Sequence, residues 1–190
     1  IYVIIIMGKP NNIDIICLTG GKCGSTTLKS TFLKSGFNTI KCHSKCDFKS
    51  QFGYDGLIDL IDTSCVNKKV YLIDSYRTPI ERKISSFFQH IVETVPDYRS
   101  RSFEELNKIF INGQMKGIEN YESIDDIMDN YDVEKFTEFD FEKRYVMKEK
   151  GNIVFIKILY SDIKEWGKIL SDIFNKEISI MPDNVTCNKG

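Results

Sequence analysis

The first clear pattern along the chain is a nearly continuous apolar run, Ile13–Thr19 (IDIICLT), closed by Gly20-Gly21. A run this short and this apolar suits a strand buried on both faces of a parallel sheet. Ser25–Ser35 then reads as a helix with Gly36 as its stop. Phe37–Cys42 reads as a second strand, and Tyr54–Asp62 has helical spacing at Leu57, Ile58 and Ile61. Lys69–Ser75 (KVYLIDS) reads as a third strand. Pro79 stands where a helix opens, and Ile80, Ile84, Phe87, Phe88 and Ile91 follow a 3.6-residue period. Three strand–helix units in succession predict an α/β fold, a three-layer sandwich around a central parallel sheet.

Beyond this, residues 102–132 read as two helices joined near Gly113–Gly117. Tyr145–Lys148 and Ile153–Leu159 read as strands of a hairpin around Lys148–Gly151. Ser161–Phe174 is an amphipathic helix, with Ile163, Trp166, Ile169, Leu170 and Ile173 on one face, and Ile178–Ile180 reads as a last strand. No repeat or linker interrupts the pattern, so residues 1–190 are read as one domain, with 1–12 a flexible or truncated start.

Composition adds limits. The chain has 190 residues, 42% of them hydrophobic, enough for a sizeable core. A net charge of −1 argues against a nucleic-acid or membrane-surface partner. No apolar run reaches the ~18 residues of a membrane span. Ile1–Met7 is too short, and no signal peptide is evident. The six cysteines show no disulfide rhythm, so the expectation is reduced thiols and a cytoplasmic setting. The chain has 27 Ile and no Ala, and 21 Lys against five Arg, the mark of an AT-rich coding sequence in which each Arg carries more meaning. Charge is unevenly spread: residues 1–100 carry +4 and residues 101–190 carry −5, which places any anion site in the first half. Residues 119–142 hold ten acids and one base, read as a solvated face or, more sharply, as a lid or a rim facing an acceptor.

Two segments carry candidate chemistry. In Gly20–Leu28 (GGKCGSTTL) a strand end, a glycine-rich turn with a lysine, and hydroxyls opening a helix form an anion cradle. Unpaired N–H groups and the positive dipole end face the anion. Gly21, Cys23 and Gly24 supply backbone, Ser25, Thr26 and Thr27 add hydroxyl donors, and Lys22 adds a mobile point charge. The plainer reading is a strand-to-helix turn with Ser25 as N-cap. The segment is not a G-x-x-x-x-G-K-[ST] loop, because Lys22 precedes Gly24. In Arg77–Phe88 (RTPIERKISSFF), Arg77 at a strand end can grip a phosphate bidentately, and Ser85 lies two helical turns further on. Here the plainer reading is a capped amphipathic helix with surface cations. Ligands of open α/β sheets bind outside the carboxyl ends of strands, where both segments fall.

His43 directly follows the second strand and is the candidate general base, with Asp47 and Glu81 behind it. His90 reads as structural or exposed. Cys42-His43-Ser44-Lys45-Cys46 lacks the paired spacing of a zinc site, so no metal is expected.

Together the two segments resemble the PAPS-dependent sulfotransferases. Lys22–Leu28 looks most like the K-x-[AG]-S-T-[ST]-[LF] form of the carbohydrate enzymes, including heparan 2-O and capsular-polysaccharide types. Arg77–Phe87 matches R-x-P-x-x-R-x-x-S-x-F at each fixed position. Lys157–Trp166 (KILYSDIKEW) is similar to a strand–turn–helix segment of the family, and Asn184–Lys189 to a tail segment ending in Asn-Lys. The resemblance covers the first ~90 residues well and the rest loosely. It implies a P-loop-like sulfotransferase fold and transfer of a sulfuryl group from PAPS (leaving PAP) to a hydroxyl or amine of a carbohydrate or small hydroxylated acceptor. Lys22, Ser25, Thr26 and Thr27 would hold the 5′-phosphosulfate, with Lys22 also catalytic. Arg77 and Ser85 would hold the 3′-phosphate, with Lys189 added by the tail. The 2-O type often carries H-x-H where this chain has His43-Ser44-Lys45. The alternatives are a nucleotide kinase or NTPase, with Asp74 available for Mg²⁺, and an inactive nucleotide-binding module.

Overall fold

A computed structural model describes residues 12–43, 56–114 and 123–181. Five strands form one sheet: β1 (Ile15–Leu18), β2 (Thr39–Cys42), β3 (Val70–Tyr76), β4 (Tyr145–Lys150) and β5 (Ile153–Leu159), in the order β2-β1-β3-β5-β4. β1 lies parallel between β2 and β3, with Ile16 opposite Ile40 on one side and Leu72 on the other. β3 and β5 are also parallel. β4 runs antiparallel to β5, so the hairpin read around Lys148–Gly151 is present at the edge of an otherwise parallel sheet. A two-residue turn joins those two strands, and such a turn can only reverse the chain. Gly151 takes φ +57° there.

Side chains alternate across the strands. Ile16, Leu18, Val70, Leu72, Ile153 and Phe155 face one core, and Ile15, Cys17, Ile73, Val154, Ile156 and Ile158 face the other. The first core is covered by α2 (Leu57–Ser64) and α6 (Ile124–Met128). The second is covered by α1 (Ser25–Lys34) and α7 (Trp166–Phe174). Helices on both faces explain why the parallel strands read as near-continuous apolar runs.

α3 (Pro79–Gln89) starts with Pro79 at its first turn and a capping box in which Thr78 and Glu81 satisfy each other's backbone N–H groups. A short α4 (Ile91–Thr94) follows, then a 3₁₀ turn, Tyr98–Ser100, and α5 (Phe103–Ile109). α5 runs on into a π-helical segment, Phe110–Gln114. Phe87, Ile91 and Val95 pack with Leu106, Ile109 and Phe110 in a third cluster. The apolar period through Ile80, Ile84 and Phe88 is therefore not the buried one: those three side chains are exposed. Two adjacent apolar rows ran along this helix, and the cluster with α5 took the other one.

Two expectations near the C-terminus change. The helix read as Ser161–Phe174 begins at Trp166, after a 3₁₀ turn at Tyr160–Asp162. Ile178–Ile180 is not a strand. Its backbone packs on α7 instead, where the Ile178 N–H donates to Ser171 Oγ at 2.8 Å and Ile178 itself is buried. The acidic stretch is partly tied to lysines: Lys157 to Asp125, Lys135 to Asp129 and Lys148 to Glu134. Among the described residues no helix is long and apolar enough to cross a membrane, and Cys17, Cys23 and Cys65 are free thiols.

Phe155 is fully buried against α6, with Tyr131 beside it at 6.0 Å between ring centres. Phe155→Ala is expected to cost about 3–5 kcal/mol in urea unfolding; a loss below about 1 kcal/mol would mean that this face is not packed as described.

Candidate functional site

The chain leaves β1, goes out to β2, and returns past β1 to form β3. The carboxyl ends of β1 and β3 therefore flank the crevice where the winding reverses, the usual ligand position in open α/β sheets. Gly20–Gly24 follows β1 and Arg77 follows β3, so strand pairing alone brings the two candidate segments together.

They touch directly. Arg77 Nη1 donates to the Lys22 carbonyl at 3.0 Å, and Arg82 Nε donates to the Gly21 carbonyl at 3.2 Å. Both arginines of the R-x-P-x-x-R segment thus hold the backbone of the glycine-rich turn. Arg77 also lays its guanidinium 4.3 Å from the ring centre of Tyr160. Its Nε is buried and donates to nothing among the described residues.

The turn has a specific backbone. Lys22 sits at φ +69° and Gly24 at φ +80°. A Cβ on Gly24 would lie 2.7 Å from Trp166 Cη2 and 3.3 Å from Tyr160 Cε2, so this glycine is required both by its φ and by close packing. Gly24, not Ser25, is the N-cap of α1. Ser25 is the first helical residue, largely buried. α3, α5 and α6 each close their N-termini with a capping box. α1 has no side-chain cap and no acid in its first turn, which leaves its N–H groups and dipole to whatever sits in the turn.

Thr26 is half-buried and Thr27 buried. Lys41 on β2, a residue the sequence reading passed over, donates to Thr26 Oγ1 at 2.8 Å. An ammonium only donates, so Thr26 accepts here and its own O–H is directed elsewhere. Lys22 has its pKa lowered, first by partial burial and then by the neighbouring Arg77 guanidinium. Two cations held this close repel each other, and an anion between them relieves that repulsion. Cys23 is a filler: burial pushes its thiol up to about 11, so it is no nucleophile.

His43 lies just past β2, and its Nδ1 is 2.8 Å from the Thr19 carbonyl at the end of β1. A carbonyl can only accept, so Nδ1 carries the proton and Nε2 is the basic nitrogen of the neutral ring. Of the other candidate bases, Glu81 is committed to the capping box. Its pKa is lowered chiefly by the Thr78 hydroxyl, which makes it a poor base. His90 is exposed beside Glu93, as expected. Ser85 stands half-buried on α3, one turn beyond Arg82 on the same side of the helix. Lys189, Lys45, Cys46 and Asp47 lie outside the described residues.

Asp74 near the end of β3 is fully buried, opposite Lys157 of β5. Burial pushes its carboxyl up to about 7, opposed by Lys157 and reinforced by Asp125, with Arg82 a weaker opposing charge.

Comparison with known proteins finds no match: no family model, no curated protein and no solved structure corresponds to this chain. The functional reading therefore stands on the residues and their geometry.

Two outcomes follow. Gly24→Ala is expected to destabilise the fold by more than about 1 kcal/mol and to weaken any anion binding at the turn; unchanged stability and affinity would refute the close packing on Trp166. Asp74 binds a proton in the folded chain at pH values where the unfolded chain has lost it. Its contribution to stability is thus full below about 4 and is lost as pH rises through about 7. Asp74→Asn is expected to be increasingly stable relative to wild type as pH rises from 4 to 8; a pH-independent difference in unfolding free energy would contradict this.

Proposed function

We propose that the protein is a PAPS-dependent sulfotransferase acting on a hydroxyl or amine, with a carbohydrate or small hydroxylated molecule as acceptor, and that its fold is the P-loop-like sulfotransferase variant of the α/β sandwich. The observation that carries this reading is the junction of the two anion segments at the carboxyl ends of β1 and β3, with Arg77 bonded to the carbonyl of Lys22. A donor with phosphate at both the 5′ and 3′ positions needs two cationic anchors, one at the turn and one beside it. Lys22 and Arg77 have that relation.

The residues present suit such a donor. The uncapped start of α1 and the hydroxyls of Ser25, Thr26 and Thr27 would hold the 5′-phosphosulfate. Arg77, its guanidinium anchored beside the turn by the Lys22 carbonyl, would hold the 3′-phosphate together with Ser85. When bound, PAPS supplies an activated sulfuryl group. Lys22 would stabilise charge that develops on the departing phosphate oxygen, an electrostatic role. His43 would accept the acceptor's proton at Nε2 while Thr19 holds the ring in place.

A nucleotide kinase is the weaker reading, because Lys22 enters before Gly24 and the Asp74 side chain is fully buried within the sheet.

Calorimetry with PAP tests the proposal. Wild type is expected to bind, with Lys22→Ala and Arg77→Ala each weakening binding by about tenfold or more. Arg77→Lys should also lose affinity, since a point charge cannot replace the planar fork. A folded wild type that ignored PAP but bound ATP with Mg²⁺ would favour the kinase. His43→Ala is expected to lower turnover by about 10²–10⁴-fold while leaving PAP affinity intact. Undiminished turnover would remove His43 from the role, and PAP binding with no turnover on any acceptor would favour an inactive module.

A further inference from the structure

The register of the sheet carries Tyr160 to a place that neither anion segment explains. Tyr76 of β3 is paired with Leu159 of β5 in parallel, so the next residue on each strand, Arg77 and Tyr160, leaves the sheet side by side. There the phenol ring lies under the guanidinium, 4.3 Å from ring centre to Cζ. The same ring stands 6.1 Å from the indole of Trp166, nearly perpendicular to it, and both rings border the space that a Cβ on Gly24 would fill. Trp166 is itself fixed, fully buried with Nε1 donating to the Leu159 carbonyl at 2.9 Å.

We infer that Tyr160 is a positioning residue of the anion site, its ring fixing the plane of the Arg77 guanidinium and so the edge that Arg77 presents to its ligand. This deepens the donor reading proposed above and rests on it. The physical argument is that a guanidinium has five donors confined to one plane. One of them, on Nη1, is bound to the Lys22 carbonyl. A single hydrogen bond leaves the plane free to turn about that contact. An aromatic face beneath removes the rotation, through cation–π attraction and shape together. Arg77 then reaches its ligand with the donor edge already set, and less freedom is lost on binding. The hydroxyl of Tyr160 has no part in this. The ring does the positioning.

The test is a double-mutant cycle read by calorimetry with two probes, PAP and inorganic pyrophosphate. Tyr160→Met keeps bulk against Gly24 but removes the flat face; Tyr160→Phe keeps the face and removes the hydroxyl. Tyr160→Met is expected to weaken binding by about fivefold when Arg77 is present and by less than twofold in an Arg77→Ala background. Tyr160→Phe should bind like wild type. Equal losses from Tyr160→Met in both backgrounds would overturn the inference, since the ring would then act through Gly24 alone. A Tyr160→Phe variant as weak as Tyr160→Met would also overturn it, by assigning the role to the hydroxyl. If Tyr160→Met fails to fold, Tyr160→Leu takes its place in the cycle under the same criteria. Wild type that bound pyrophosphate no more weakly than PAP would sink the donor reading alone, with the cycle then read on pyrophosphate. Wild type that bound neither would overturn both.

Discussion

The parallel pairing of β1 with β3 is the constraint on which the rest of the site depends. Arg77 and Lys22 are 55 positions apart in the chain, yet their contact needs no long loop to find it. Once Ile16 is opposite Leu72, the turn after β1 and the residue after β3 emerge at the same edge. β2 and β5 extend the arrangement outward by the same logic, with His43 following β2 and Tyr160 following β5. Four strand ends thus deliver a histidine, a glycine-rich turn, an arginine and an aromatic ring along one edge. The sheet's order sets the order of the chemistry.

Electrostatics follow the same axis. The basic first half of the sequence supplies β2, β1 and β3, and the acidic second half supplies β4, β5 and α6. Where the halves meet, Asp74 of β3 lies opposite Lys157 of β5, which is ion-paired to Asp125. The charge asymmetry of the sequence thus becomes an asymmetry across the sheet. Asp125, Asp129 and Glu134 are paired with Lys157, Lys135 and Lys148 on this side of the sheet.

The five strands, the glycine-rich turn after β1 and the helix after β3 were legible in the sequence because each depends on local chemistry: β-branched runs, glycines at a turn, and proline at a helix start. The pairing of hydrogen bonds across segments was not. Nothing local in Arg82 says that it reaches the Gly21 carbonyl rather than an acid on its own helix. Nothing in Tyr160 says that it lies under Arg77, although both directly follow a strand, and that shared position was the available signal. The helix after Pro79 failed in a different way. Ile80, Ile84 and Phe88 and the row through Phe87 and Ile91 are both apolar and both periodic, and only the partner helix decides which is buried. Ile178–Ile180 looked like a strand for its apolar residues, but its backbone was taken up by α7.

Lys22 holds a left-handed backbone, φ +69°, at a position where glycine would rest without strain. For a residue with a Cβ that conformation costs roughly 1–2 kcal/mol. The turn therefore carries a small stored cost that local folding alone would remove by placing a fourth glycine there. A library of this protein selected only for thermal resistance should accumulate glycine at position 22, and one selected for ligand capture should hold lysine. The same position then separates what the fold prefers from what its chemistry requires.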